Sequence, residues 1–497
     1  MKCGIMKKRV ITNKEFIDKF VECLKERKDF RLENCIVEGD VDILDIYKKI
    51  KKKIKDKKRL EELIEERSGL LSKIIIDVDV YISNVKFNGE FRMHNYIIDF
   101  EIEIIAEFRK LADFGEVTFN KETYFRRVTF NEEAYFGGAT FNGEVNFGGA
   151  TFERTDFRKA TFNEETNFWG ATFKGKVNFE GVTFNGETNF IETTFNGKTD
   201  FREATFEKEA VFLNSTFNIA RFYNSTFKSR ADFTNISFNL LSFEYCIFED
   251  LALFKKKEDK EDEENKECLA IFFNTQFLNK HTKIENFPLS KTSFLKTDVR
   301  EVMILCNIKK EEILSHKLLK LKENTEGIYK FAYEILISDL DYKSVLAEYR
   351  NLRISIENNR TYIEASDLYK MEMELIKEFS KNDFERFAIW FYGFLSDYGE
   401  SIKKPIIFMF GLIITTPLIL TLSHYLNSFI NAQISNKIPE FLLMYIKYLK
   451  DVLGAKFYIG NGKSSLLETI IFCLYSIFMM ITTANLYIAL RRKLSRK

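Results

Sequence analysis

Apolar positions along the chain fall into three regimes with different periods. Near the N-terminus, Phe16, Ile17, Phe20, Val21 and Leu24 recur at helical spacing behind Thr12 and Glu15, which have the spacing of a capping box, and they predict an amphipathic helix. Arg31 to Asp40 reads as a strand and turn. Tyr47 to Arg67 reads as one highly charged, solvated helix whose basic run is balanced by glutamates within two turns, in preference to a membrane-surface or nucleic-acid patch. Alternation between Lys73 and Phe108 predicts strands.

From Phe114 to Phe248 the period changes. This stretch holds 26 of the chain's 52 phenylalanines, and consecutive ones lie five or six residues apart, so the pattern repeats mostly every eleven residues. Neither 3.6 nor 2.0 divides that pattern, which excludes an amphipathic helix and a simple hairpin stack. The residue two before each phenylalanine is nearly always small or β-branched (Val117, Ala139, Ala150, Ala160, Ala171, Val182, Ala204, Ser215). Alternate phenylalanines follow a threonine, as at Thr118, Thr140 and Thr161, and the other half carries Asn146, Asp156, Asn167, Asn178, Asn189, Asp200 and Asp232. Such short polar side chains suit hydrogen bonds to backbone at corners. Asn142-Gly143, Asn185-Gly186 and Asn196-Gly197 mark turns.

These residues resemble the pentapeptide-repeat family, whose unit is small, Asn/Asp/Thr, large apolar, then two polar residues; here it reads A-T-F-x-x and V-N-F-x-x, with one residue added after every second unit. The resemblance implies a β-solenoid, a right-handed quadrilateral pentapeptide-repeat β-helix with four units per coil. Phe114 to Phe248 would then make roughly six coils of about 22 residues, stacked about 4.8 Å apart into a rod on the order of 30 Å long. The expected core ladder is Phe119, Phe130, Phe141, Phe152, Phe162, Phe173, Phe184, Phe195, Phe206 and Phe217.

Downstream, 255–267 carries twelve charged residues in thirteen and reads as a disordered excursion. Repeat-like fragments resume at Phe272 to Phe277 and Thr292 to Phe294, and a capping element should follow, because a last coil otherwise exposes rings and an unpaired edge. Residues 309–403 are helical in composition, with two antiparallel helices joined at Asn358-Asn359-Arg360. This stretch resembles the helical region after the repeats of membrane-attached pentapeptide proteins at Tyr349-Arg350, Ala365, Tyr369, Glu372-Met373-Glu374 and Tyr398-Gly399-Glu400-Ser401. In that comparison it couples the rod to the membrane, and these residues pack and orient rather than catalyse.

Two uncharged runs, Pro405 to Leu422 and Thr469 to Leu490, are each long enough to span a bilayer as a helix. Lys403-Lys404 and the tail Arg491 to Lys497 flank them with positive charge, which predicts a two-span membrane protein of the cell membrane with both termini cytoplasmic. The last span, ending A-L-R-R-K, is similar to the anchor of non-channel relatives. Between the spans, Pro439 to Leu453 could form a pore helix, and Tyr458-Ile459-Gly460-Asn461-Gly462 resembles a potassium-filter loop. It departs from the T-V-G-Y-G pattern in lacking the threonine and the aromatic, and it places Lys463 where an acid is usual.

The expected organisation is a helical and capping region at 1–72, the β-helix at 73–308 with its charged insertion, a helical coupling region at 309–403 and a two-span region at 404–497. Composition adjusts this picture little. Basic and acidic residues balance at 75 and 74, and seven cysteines without a C-x-x-C pair argue for a reducing compartment rather than a disulfide framework. Four scattered histidines, and no phosphate-cradling loop before a helix, predict no enzyme, no metal and no cofactor. The repeat carries 20 acidic and 14 basic residues, too mixed in sign to imitate DNA, and no nucleic-acid partner is expected. The favoured function is a membrane-anchored scaffold whose partners are the lipid bilayer and another protein. The alternative is an ion-channel-like or sensory protein gated by the rod. A homo-oligomer fits either, and a central pore requires one.

Overall fold

The computed structural model describes residues 8–67, 71–97, 102–258, 268–306, 311–322, 325–359, 361–430, 444–445, 447–449 and 466–495. They divide into two units, Met1–Glu364 and Ala365–Lys497.

In the first unit, parallel strands of two to a few residues stack like with like. Thr118–Phe119 pairs with Thr140–Phe141, and the ladder continues through Thr161–Phe162, Thr183–Phe184, Thr205–Phe206, Thr226–Phe227, Ile247–Phe248 and Gln276–Phe277. Each step up to Phe248 is 21 or 22 residues, which is four five-residue units plus one or two corner residues. This part of the first unit is therefore a four-sided β-solenoid, as the family resemblance implies.

Four columns of phenylalanine fill it. Along each column the rings stack nearly parallel, for example Phe119 on Phe141 at 5.0 Å and 6°, and Phe212 on Phe233 at 4.5 Å and 6°. The ten residues expected to form one ladder occupy two of these columns, Phe119/141/162/184/206 and Phe130/152/173/195/217. The other two columns, whose rings follow Asn, Asp or another residue rather than Thr, meet across the axis. Phe125 lies 5.6 Å from both Phe114 and Phe136, at 67° and 76°, and Phe147 lies 5.6 Å from both Phe136 and Phe157. The result is an edge-to-face zipper, the favoured aromatic geometry. The threonine-preceded columns pack against its flanks, with Phe141 6.4 Å from Phe147 and Phe152 6.2 Å from Phe157.

Corners follow from the residues beside the rings. Each Asn or Asp before a central ring accepts from the backbone N–H two residues on, as Asn146 does from Gly148 at 2.8 Å and Asp156 from Arg158 at 2.9 Å. The residue two after a central ring is left-handed (Glu116, Arg127, Gly138, Gly149, Lys159). The small residues two before the threonine-preceded rings are fully buried, and where Thr193 or Ser215 stands among them its hydroxyl donates to a carbonyl of the preceding coil, Phe168 O at 2.9 Å or Phe190 O at 2.6 Å. The threonines of the A-T-F units are instead half-exposed, on the outer face of the wall. Asparagines following one ring column form a ladder from side chain to side chain: Asn120 donates to Asn88, Asn142 to Asn120, Asn163 to Asn142 and Asn185 to Asn163, at 2.6–2.9 Å. Where the six-residue spacing lapses to five, at Phe152 to Phe157 and Phe217 to Phe222, the strand runs through the corner. The neighbouring strand, which keeps the six-residue spacing, takes up the extra residue as a register shift between Phe130 and Glu133 or between Phe195 and Lys198.

Stacking begins well before residue 73. Arg9–Thr12 pairs with Cys35–Glu38, which pairs with Lys86–Phe87 and so joins the Phe119 ladder. Helix α1 (Asn13–Glu26) has the capping box expected at Thr12 and Glu15, and it buries the expected face, with Phe16 edge-on to Phe30 at 5.2 Å and to Phe87 at 5.6 Å. The single charged helix expected from Tyr47 to Arg67 is instead α2 (Ile43–Lys53), α3 (Lys57–Leu63) and a strand, Ile64–Arg67, antiparallel to Leu71–Ile76. Asp56 starts the new helix by accepting from Lys58 N–H at 3.1 Å. Nor is the basic run wholly solvated: Arg59 is 5% exposed and donates to Asp77 at 2.6 and 2.8 Å, which a run of look-alike lysines conceals. The charged insertion also starts late, since Ala252–Lys256 is a strand paired with Lys283–Glu285; residues 259–267 lie outside the described residues.

Beyond the last strand, Met303–Leu305, helices α4 (Leu314–Leu321), α5 (Gly327–Leu336) and α6 (Tyr342–Asn358) remain in the first unit, so the coupling region expected at 309–403 is divided. They supply the cap that an open coil requires. Ser355 of α6 donates to Val302 O at 2.6 Å, and Asn358 to Arg300 O at 3.1 Å. Tyr349 is buried with its hydroxyl 3.0 Å from His316 Nδ1. Glu348 accepts from Phe294 N–H at 2.6 Å, while its Oε2 is buried without a hydrogen-bond partner.

The second unit contains α7 (Tyr362–Phe379, whose first turn belongs to the first unit), α8 (Asp383–Ser396), α9 (Lys403–Ile430) and α10 (Leu466–Ser495). Two segments, Lys403–Leu422 and Ile470–Arg492, are long and apolar enough to cross a membrane. Of the expected pore helix at 439–453, residues 444–445 and 447–449 are described and are helical; its other residues, and the filter-like loop Tyr458, Ile459, Gly460, Asn461 and Gly462, lie outside the described residues.

Two measurements test this account. Phe147→Ala removes a ring that meets two neighbours across the axis and should destabilise the solenoid by about 3–5 kcal/mol in chemical denaturation, against less than about 1.5 kcal/mol for a substitution at an exposed corner such as Lys159→Ala. Burial, only partly offset by Ser315 and the Phe294 N–H, pushes Glu348 up to about 7. Because its folded value lies above its unfolded one, stability should be full below about pH 4.5 and fall as pH rises towards 7, by roughly 3 kcal/mol. Glu348→Gln should therefore stabilise the fold at pH 8 and leave it unimproved at pH 4, as read by thermal melts across pH.

Candidate functional site

Chemistry-bearing side chains of the second unit gather at the turn between α8 and α9. Asp397, Tyr398 and Gly399 are successively left-handed, with φ of 53°, 59° and 79°. Two of these are not glycine, and such a run persists only where its surroundings fix it. Ser396 does so from within, its hydroxyl accepting from Gly399 N–H at 2.9 Å and donating to Asn485 Oδ1 at 3.1 Å, and its carbonyl accepting from Ser401 N–H at 2.9 Å.

Side chains from three helices hold the turn from outside. Tyr398 donates its hydroxyl to Glu374 of α7, and its ring lies so close over Gly393 that a Cβ there would come within 2.7 Å. Arg492 of α10 donates to Tyr398 O at 2.8 Å and to Glu400 at 3.1 Å, with its guanidinium 4.4 Å from the centre of the Tyr369 ring. Lys370 bridges Asp367 at 3.2 Å and Asp397 at 3.1 Å, and Lys404 adds a weaker contact to Asp397 at 3.4 Å. Burial works against ionising Asp397, but the two lysines outweigh it and hold its carboxyl below the ordinary aspartate value. Burial and the Glu374 carboxylate push Tyr398 up, and burial pushes Tyr392 up to about 12, so both phenols stay neutral at physiological pH.

This arrangement can orient; each charge faces an opposite charge or a ring. It brings together Tyr369, Glu374, Tyr398, Gly399 and Glu400 from the expected coupling motifs with Arg492 from the A-L-R-R-K end. Tyr349 is placed elsewhere, in the cap of the first unit. Asn485 and Lys370 escaped the sequence reading. The signal for Asn485 was an isolated amide in an apolar run, which needs a partner in a non-aqueous setting.

A family model described as "Pentapeptide repeats (9 copies)" matches residues 106–151, 147–194 and 190–237. The chain belongs to the pentapeptide-repeat family. It is also similar, at 51% identity, to "Uncharacterized protein MJ1147" of Methanocaldococcus jannaschii, over 100% of this chain and 99% of the relative. No solved structure matches. The match to the repeat model ends before α4, so it bears on the solenoid of this pentapeptide-repeat protein and leaves the joint at Asp397–Ser401 to be understood from its geometry.

If that joint is held as described, Gly393→Ala should displace Tyr398, lower the thermal stability of the detergent-solubilised chain by roughly 1–3 kcal/mol and speed tryptic cleavage at Lys403-Lys404. Gly411→Ala, where an added Cβ meets nothing within 4 Å, should leave both unchanged or slightly improved.

Proposed function

We propose that this pentapeptide-repeat protein is a non-enzymatic, membrane-anchored interaction protein, with the solenoid as its binding surface and α9 and α10 as its anchor. The observation that carries this reading is the filled axis. Rings with at most 1% exposure, such as Phe125, Phe136 and Phe147, leave no room for a substrate inside the coils, so recognition falls to the walls. Those walls are rigid, regular and mixed in sign: Arg202 spans Asp200 and Glu180 at 2.8 Å each, Lys228 meets Glu207 at 2.7 Å, and Arg230 meets Asp232 at 2.7 Å. A protein surface of complementary charge fits such walls better than a polyanion does. Two thiols are held in the neutral form, since desolvation pushes the buried Cys246 and the half-buried Cys306 up to about 12.

Reconstitution of the full chain tests the reading. It should stay in vesicles through an alkaline carbonate wash, expose tags at both termini on the same face and pass no ions in a flux assay. Release by carbonate would overturn the anchor, and potassium flux through a detergent-stable tetramer would replace the scaffold by a channel.

A further inference from the structure

One helix of the second unit turns its aromatic residues outwards. Along α8, Phe384, Phe387, Trp390 and Phe394 are 76%, 56%, 51% and 55% exposed, while Ile389 and Leu395 are buried. Their rings run into one another, Phe387 to Trp390 at 5.8 Å and Trp390 to Phe394 at 5.7 Å. A row of this size facing water would be an aggregation liability. Charge is confined to the first turn, at Asp383, Glu385 and Arg386; Phe387 to Ser396 carries none. The row is also continuous with the two apolar helices, since Phe394 lies 6.1 Å from Phe408 of α9 and Phe391 lies 5.8 Å from Phe478 of α10. Exposed Ile407, Phe410, Ile477 and Met480 extend the same apolar surface.

We propose that α8 is a third membrane-contacting element, embedded at the headgroup–acyl boundary with Phe384, Phe387, Trp390 and Phe394 against lipid. The proposal rests on the membrane-anchor reading and deepens it. Tryptophan and phenylalanine are favoured at that depth, where an apolar ring body meets acyl chains and the indole N–H still finds polar partners. Charges in the first turn and at Asp397 to Glu400 leave both ends of the helix within reach of headgroups and water.

The chain carries its own probes, because it contains two tryptophans, Trp390 here and Trp169 on the solenoid. Trp169→Phe leaves Trp390 as the sole emitter, and Trp390→Phe leaves Trp169. Both full-length variants are reconstituted into phosphatidylcholine vesicles with or without bromine on the acyl chains, and titrated with iodide present on both sides. Trp390 should emit at shorter wavelength, lose most of its emission to brominated lipid and resist iodide, whereas Trp169 should be quenched by iodide and ignore the bromine. Quenching of Trp390 by iodide alone would place the helix in water and overturn the proposal. Quenching by neither would show the face covered by protein, a second copy or a partner, and would overturn it equally. A chain stripped from the vesicles by carbonate would sink the anchor reading itself, an outcome distinct from a retained chain whose Trp390 faces water.

Discussion

Rings from opposite walls meet edge to face across the solenoid axis, and most of the first unit follows from that contact. Between Phe114 and Phe254 the stacked rings of a column lie 4.5–5.2 Å apart, close to the spacing of about 4.8 Å at which parallel backbones hydrogen-bond, so ring stacking and strand pairing reinforce each other without strain. A zipper of this width leaves room only for small side chains beside it, which accounts for alanine, valine and serine two residues before the flanking rings. It also fixes the number of units per turn. A coil may gain or lose a residue at a corner, as the register shift at Phe130 and Glu133 shows, but it cannot move a ring out of its column without opening a void about the size of a side chain.

A stack built on identical layers has no natural end, so its ends need different chemistry. At the N-terminal end α1 lays Phe16 against Phe30 and Phe87, continuing the edge-to-face pattern with a helix in place of a coil. At the other end α6 satisfies the carbonyls of Arg300 and Val302 with side chains. Each end contains a buried ionisable group, Arg59 paired with Asp77 in one and Glu348 with an orphaned oxygen in the other. The Arg59–Asp77 pair contributes little net stability, but removing one partner would leave the other charge uncompensated.

Periodicity marked the solenoid as a repeat, and its companions to each ring carried the resemblance that implied a four-sided β-helix. What it left hidden was which rings face one another. Phe119 and Phe125 look alike along the chain, and only closing the coil shows that the second crosses the axis while the first flanks it. Arg59 was hidden for a similar reason, since nothing local separates it from the lysines around it. Asp56, which caps α3, stands inside a uniformly charged run that carries no periodic sign of the break. In the second unit the sequence marked Tyr369, Glu374, Tyr398 and Glu400 as one group without indicating Asn485, because a single amide 85 residues beyond the turn has no periodicity to betray it.

Phenylalanine thus meets two environments in one chain. In the solenoid each ring is covered by rings of the next coil, and the sequence carries everything needed to bury it. On α8 the rings lie along the helix and none of the described residues of the second unit buries them, whereas Ile389 and Leu395 of the same helix are packed. Amphipathic helices place their apolar side where the free energy of leaving water is greatest. Here that side continues onto α9 and α10 through the contacts of Phe394 with Phe408 and Phe391 with Phe478. With α8 at the headgroup–acyl boundary as proposed, the tightly paired turn at Asp397 to Ser401 would fix the angle between that helix and α9, which a flexible connection could not do.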